Sequence, residues 1–216
     1  GDLKRLVATY NASHGTSATT NFSVHSDMAP NVYVNGHPAR DSATARDLEK
    51  AMSDMQGTNP LSGVNQHLFV AMADPVEEQL LHMVTADPAR TPTITPFAQG
   101  DYFLNGSSTT PCANNDLSNC VFLPNTTGSN FTFAWNHGGI QPEVRTTWVG
   151  IVGPGVNKSQ PGTALWSDHT DLRPTILRLV GLKDDYVTDG RVMTEFLANK
   201  VLPTSLKAHG PTLENL

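Results

Sequence analysis

The chain has 216 residues, of which 38% are hydrophobic, so it is long enough to bury one substantial core or two small ones. Its net charge is −6, and no basic run gives an electrostatic footprint for duplex nucleic acid or for an anionic membrane. The longest apolar run, at residues 68–73, is far too short to span a bilayer. We therefore expect no binding to duplex nucleic acid and no membrane span.

Residues 1–60 predict a peripheral segment with short strands and a helix. Apolar residues at helical spacing also predict an opening helix over residues 2–10, and alternating runs predict strands at 22–26 and 31–36. The helix of this segment is expected over residues 42–55, with Asp41 or Ser42 as its N-cap.

Residues 61–104 predict a strand-helix-strand subdomain. The apolar run at 67–73 is typical of a buried strand, and Asp74 followed by Pro75 is typical of a helix start. Glu77 and Glu78 then fall in the first helical turn, where the helix dipole favours acidic residues. We interpret this acidic pair as structural and not as a catalytic dyad. Further strands are predicted at 91–98 and 101–104.

The only two cysteines, Cys112 and Cys120, lie in a polar segment that predicts a loop at residues 105–130. We expect them to form one small disulfide, because exposed unpaired thiols are reactive and no metal-ligand spacing surrounds them. The alternative is two free surface thiols. A disulfide would indicate an exported protein, located in the periplasm, outside the cell or at the cell surface.

Residues 131–216 predict a C-terminal core segment that contains a His-Gly turn. A strand is expected at 131–135, and Val149 to Val152 is the best candidate for a central strand buried on both faces. Two helices follow at 170–181, capped by Thr170 or Asp171, and at 190–199. Strands that alternate with helices predict an α/β layered architecture.

His137 is flanked by Asn136 and by the pair Gly138 and Gly139. The glycines permit a tight turn with positive φ and let a ligand or metal approach the backbone closely. From these residues alone, a turn histidine without a chemical role is the simpler interpretation. Sequence spacing by itself does not decide between the two.

Asp168, His169 and Asp171 lie close together just before the first C-terminal helix. Acidic and hydroxyl side chains at this place satisfy the free N–H groups of a first helical turn, so we interpret them as capping residues. The alternative places His169 beside a metal site or on the side of the substrate.

Several motifs occur in the order found in the alkaline phosphatase superfamily, and the chain resembles in particular its nucleotide pyrophosphatase/phosphodiesterase-like members. These motifs are WNHGG at 135–139, a strand that ends in Gly-Pro-Gly at 153–155, and TDLRPTILRLVGL at 170–182. The resemblance implies an α/β fold that is part of an alkaline-phosphatase-like layered sheet with helices on both faces, plus the smaller strand-helix-strand subdomain.

The resemblance also implies a site. His137 would be a ligand to one of two divalent metal ions, usually zinc, in a hydrolase of phosphate esters. Asn136, Gly138, Gly139 and His169 would surround it in outer-shell or substrate-side positions. The nucleophilic Ser or Thr, the aspartate ligands and the Asp-His pair of that family are not found in this sequence.

The resemblance therefore implies the C-terminal portion of a longer enzyme, inactive without its N-terminal half and without a catalytic nucleophile of its own. The alternative is a non-catalytic exported module that retains the fold and binds a glycan or a protein through its polar loops.

Overall fold

The structure, a computed structural model, describes residues 3–25, 29–59, 62–102, 110–119, 138–158, 166–202 and 204. It divides into two compact units, Gly1–Thr147 and Trp148–Leu216. The protein is mixed α/β, with short helices and small antiparallel sheets.

The sequence predicts the first three helices of the first unit but not the fourth. They are α1 (Leu3–His14), α2 (Ala43–Asp54), α3 (Pro75–Leu80) and the one-turn α4 (Pro142–Arg145). Ser42 is the N-cap of α2, and its side chain accepts a hydrogen bond from the Ala45 nitrogen. Asp74 caps α3, and Pro75 fills its first position, where no N–H donor is needed.

The strands of this unit form three two-stranded antiparallel sheets. The pairs are β1 (Phe22–His25) with β2 (Asn31–Val34), β3 (Gln56–Thr58) with β4 (Asn65–His67), and β5 (Phe69–Ala73) with β6 (Thr95–Ala98). A single bridge between Val32 and Ile94 ties β2 to the segment that leads into β6. Because Ala73 pairs with Thr95, α3 follows β5 beside the first residue of β6.

One apolar core lies beneath α1, α2 and the strands. Removal of these side chains from water is the main stabilising contribution to the unit, at about 1.5 to 3 kcal/mol for each large one. Its fully buried members include Leu3, Leu6, Val7, Leu48, Met52, Val32, Leu68 and Ile94.

The predicted strand near residue 70 is present as β5, but it is not buried throughout. Phe69 and Ala73 are buried, whereas Val70 is exposed. The prediction of a further strand at 101–104 is wrong for its first half, because Asp101 lies in a turn and Tyr102 has no strand structure. Residues 103 and 104 lie outside the described residues.

The main helix of the second unit is α5 (Leu172–Leu179), which is entered through a 3₁₀ turn at His169–Asp171. Gly181 follows with φ +75°, a left-handed conformation suited to the end of a helix. The predicted helix at 190–199 is wrong, because the chain makes only a 3₁₀ turn at Thr194–Phe196 and begins a second one at residue 199.

The reason for the missing helix is long-range backbone pairing. The nitrogen of Asn157 donates to the Phe196 carbonyl at 2.8 Å, and the nitrogen of Ala198 donates to the Gly155 carbonyl at 2.7 Å. A bridge between Val156 and Leu197 completes the contact. Backbone groups that bond to a distant segment are not available for helical bonds.

The prediction of a central buried strand at residues 149–152 is also wrong. The stretch has no regular structure, and Val152 is fully exposed. The indole of Trp148, just before it, is also largely exposed. A strand buried on both faces needs neighbours on either side, and no described residue forms a ladder with this stretch.

Among the described residues, no helix has the length and apolar character needed to cross a bilayer.

Candidate functional site

The predicted metal ligand His137 and its neighbour Asn136 lie outside the described residues, which resume at Gly138. Gly138 has φ +89°, a left-handed conformation that glycine adopts without steric penalty. Gln141 then precedes α4 as its N-cap residue. The chain directly after His137 therefore bends sharply before it enters a helical turn.

Gln141 joins this bend to the end of β6. Its side-chain Nε2 donates a hydrogen bond to the carbonyl oxygen of Ala98, the last residue of β6, at 2.5 Å. Its Oε1 lies over Gly139, where an added Cβ atom would overlap with it. A side chain at position 139 would therefore displace the Gln141 amide, which hydrogen-bonds the bend to the end of β6.

Polar side chains just beyond β6 have partners within the first unit. Asp101 accepts a hydrogen bond from Asn59 at 2.7 Å, and the Tyr102 hydroxyl accepts one from Gln66 at 3.1 Å. Burial raises the pKa of Tyr102. No group of three or more His, Cys, Asp or Glu side chains able to hold a metal occurs in the part of the chain that the structure describes.

The segment around His169 is organised as a helix start. Asp168 accepts a hydrogen bond from the Thr170 nitrogen at 2.7 Å, and Asp171 accepts one from the Asp168 nitrogen at 3.3 Å. This reciprocal capping box supports the capping interpretation: Asp168 caps the 3₁₀ turn, and Asp171 is the N-cap residue of α5, although it makes no side-chain cap hydrogen bond to that helix. The side chain of His169 is exposed to solvent.

The same helix start is bonded to a later segment of the second unit. The Arg191 nitrogen donates to Asp171 at 2.8 Å, and the Met193 nitrogen donates to the Thr175 hydroxyl at 2.9 Å. Asp171 and Thr175 are both buried. Their hydrogen bonds explain why these polar residues tolerate burial.

Glu77 and Glu78, although adjacent, have different environments. Glu77 is exposed, and its carboxylate accepts a hydrogen bond from the Asp74 nitrogen at 3.2 Å, as a first-turn acidic residue should. Glu78 is 0% exposed and accepts a hydrogen bond from the Thr95 hydroxyl at 2.9 Å. Its Oε2 is buried without a hydrogen-bond partner.

Sequence reasoning missed this buried carboxyl group. Glu78 lies four residues after Asp74, so the two side chains lie on the same face of α3. Because Asp74 directly follows β5, this spacing indicates that Glu78 faces the sheet. Burial raises the pKa of Glu78 to about 7, and the negative charges of Asp74 and Glu77 add to the effect. Glu78 is therefore able to hold a proton near neutral pH.

Two arginines lie beside this cluster, and both pair with Asp74. Arg40 Nε is 2.6 Å and Arg46 Nη1 is 3.2 Å from Asp74 Oδ2. Burial opposes the charge of Asp74, but its hydrogen bonds with Glu77, the Val76 amide and Arg40 keep its pKa below the ordinary value. The arginine charges thus stabilise Asp74 as an anion and are not paired with Glu78.

Cys112 belongs to the buried apolar core of the first unit, and its backbone nitrogen donates to the Thr9 hydroxyl at 2.5 Å. No described cysteine is a free thiol. The expected partner, Cys120, lies outside the described residues, so the pairing of the two remains a prediction.

No family model, no curated protein and no solved structure matches the chain. Its function is therefore inferred from the motifs of the sequence and from the local geometry around them.

Proposed function

We propose that this chain is the C-terminal portion of a metal-dependent phosphoric ester hydrolase of the phosphodiesterase or phosphatase type. The proposal rests on the motifs that resemble the alkaline phosphatase superfamily. The observation that carries it is the bend at Gly138, directly after His137, which Gln141 ties to the end of β6.

The chemistry of the turn suits a metal ligand. A neutral imidazole is among the commonest zinc ligands and binds at about 2.0 to 2.1 Å. Residues just beyond a strand end have a rigid base and a free approach to a ligand. In the proposal, His137 binds one of two divalent metal ions, and Gln141 and Gly139 orient the turn that carries it.

The rest of the metal site would come from outside the described residues, in the N-terminal half of the same enzyme. Two zinc ions would supply Lewis-acid stabilisation of the phosphoryl oxygens and activation of a nucleophile. The same proposal includes the finer fold, an alkaline-phosphatase-like layered sheet with helices on both faces. It also includes His169 on the substrate side of the site. An exported location is part of the proposal because the expected disulfide indicates export.

The test is His137→Ala in the protein with its N-terminal half. We expect bound zinc and hydrolysis of an aryl phosphodiester each to fall by a factor of about 100 or more, because a direct ligand contributes at least as much as an outer-shell partner. The circular dichroism spectrum should stay unchanged. His169→Ala, the comparison variant, should lower both quantities far less, because His169 is not a direct metal ligand in the proposal.

Full activity of the His137→Ala protein would show that the histidine is not a ligand. Absence of both zinc and hydrolysis in the unsubstituted protein would favour the non-catalytic exported module. Phosphomonoester and sulfate-ester substrates, assayed in parallel, would distinguish the ester class.

A further inference from the structure

The hydroxyl group of Thr95 lies between two oxygen atoms. It is 2.9 Å from Glu78 Oε1 on α3 and 3.1 Å from Asn31 Oδ1 on β2. A hydroxyl group has one proton to donate, so it cannot donate to both. With the amide oxygen of Asn31 facing Thr95, a proton on Glu78 satisfies all three groups, because Glu78 then donates to Thr95 and Thr95 donates to Asn31.

The second oxygen of Glu78 supports the same assignment. Oε2 is buried and has no hydrogen-bond partner. An ionised carboxylate with one oxygen buried and without a partner is costly, whereas the carbonyl oxygen of a neutral acid is far less so. The geometry therefore favours a neutral carboxylic acid.

The charges around Glu78 also favour the neutral form. Asp74 and Glu77 on α3 are acidic, and Arg40 is bonded to Asp74. Arg46, from α2, contacts both Asp74 and Glu49. The neighbouring strands β5 and β6 contain no titratable side chain.

On β2, the titratable group is Tyr33. Its hydroxyl donates to the Arg90 carbonyl at 3.3 Å and so has a partner of its own. Among the described residues, no cation forms an ion pair with Glu78, because the two nearby arginines contact Asp74.

We propose that Glu78 is a proton-controlled latch, which holds α3 against β6 and β2 while its carboxyl group is protonated and loosens that contact when the proton is lost. The latch consists of Glu78, Thr95 and Asn31. It does not depend on the proposed hydrolase function, because it uses none of the residues assigned to the metal site.

The direction of the effect follows from linkage. Burial raises the pKa of Glu78 from 4.5 to about 7. The contact is therefore strongest below pH 4.5, weakens as the pH rises through about 7, and changes little above that value. Acidification should tighten α3 on the sheet, and neutral pH should loosen it.

Carboxyl ¹³C NMR and amide hydrogen exchange test the latch in the intact chain. We expect one glutamate carboxyl to titrate near pH 7. Between pH 5 and pH 8, the opening equilibrium of the α3 amides, corrected for intrinsic exchange, should rise roughly 50-fold. The amides of α1 should change much less and serve as the internal reference.

Glu78→Gln, which mimics the neutral acid, should make the opening of α3 independent of pH to within about twofold. Glu77→Gln is the matched control, since it removes an exposed neighbouring carboxylate, and should retain the pH dependence. Retained pH dependence in Glu78→Gln would overturn the proposal. An equal change in the α1 amides would also overturn it. So would titration of the Glu78 carboxyl at its ordinary pKa, a measurement that needs no variant.

Discussion

The buried carboxylate of Asp171 accepts a hydrogen bond from the backbone nitrogen of Arg191 at 2.8 Å. The same carboxylate accepts one from the nitrogen of Asp168 at 3.3 Å, which completes the capping box at the start of α5. A single side chain thus secures the helix start and joins it to a segment 20 residues later.

Asp171→Ala should lower the free energy of unfolding by about 2 to 3 kcal/mol, because it removes a capping contact and the hydrogen bond that the buried carboxylate accepts from the Arg191 nitrogen. Urea denaturation followed by tryptophan fluorescence measures the change. Asp185→Ala removes an exposed carboxylate nearby and should stay within about 0.5 kcal/mol of the unsubstituted protein. Equal stability of the two variants would contradict the structural role of Asp171.

Gly190→Ala should be strongly destabilising. A Cβ atom at this position would overlap with the carbonyl oxygen of Thr170 and would lie 2.7 Å from the nitrogen of Asp171. Backbone atoms cannot rotate away as a side chain can, so we expect a loss of about 2 to 3 kcal/mol. Differential scanning calorimetry should show a melting temperature lowered by roughly 4 to 10 °C.

The control for this substitution is Gly100→Ala, because no atom lies within 4 Å of a Cβ atom built there. Its melting temperature should stay close to that of the unsubstituted protein. A Gly190→Ala protein as stable as this control would show that residues 170 and 190 are not in the contact described.

Arg173 and Asp184 form a two-point ion pair, with Nε–Oδ2 and Nη2–Oδ1 distances of 2.7 and 2.8 Å. The hydrogen bond from the Arg173 guanidinium holds the pKa of Asp184 at about 2. The stabilisation from this pair is therefore present above the ordinary pKa of aspartate and is lost as the pH falls through about 2.

Arg173→Lys should raise the pKa of Asp184 toward 3.8, because an ammonium group cannot reproduce the two-point contact. Carboxyl ¹³C NMR measures the titration midpoint. Arg178→Lys, on the same helix, removes a contact with the Val201 carbonyl instead and should leave Asp184 unchanged. The same midpoint in all three proteins would show that the guanidinium is not the cause.

Cys112 and Cys120 should be bonded to each other. Intact-mass analysis after alkylation should show no labelled cysteine without reductant and two labelled cysteines after reduction. Two thiols labelled in the absence of reductant would remove the main reason to propose an exported location.

The sequence alone was sufficient where a structure depends on residues within one helical turn. Ser42 and the pair Asp74 and Pro75 mark helix starts, and Gly181 marks a helix end, because each satisfies or replaces local backbone groups. The bend at Gly138 is also determined locally, because glycine adopts a positive φ without steric penalty. The mixed α/β class also follows from the local periodicity of apolar residues.

Tertiary structure decided which of these local elements are covered. Glu77 and Glu78 have the same chemistry and adjacent positions, yet only Glu78 lies beneath Thr95 and loses its solvent. The apolar stretch that ends at Val152 has the pattern of a buried strand but remains exposed. Burial depends on which distant segment packs against a residue, and that choice minimises the free energy of the whole fold, so periodicity within a short window cannot reveal it.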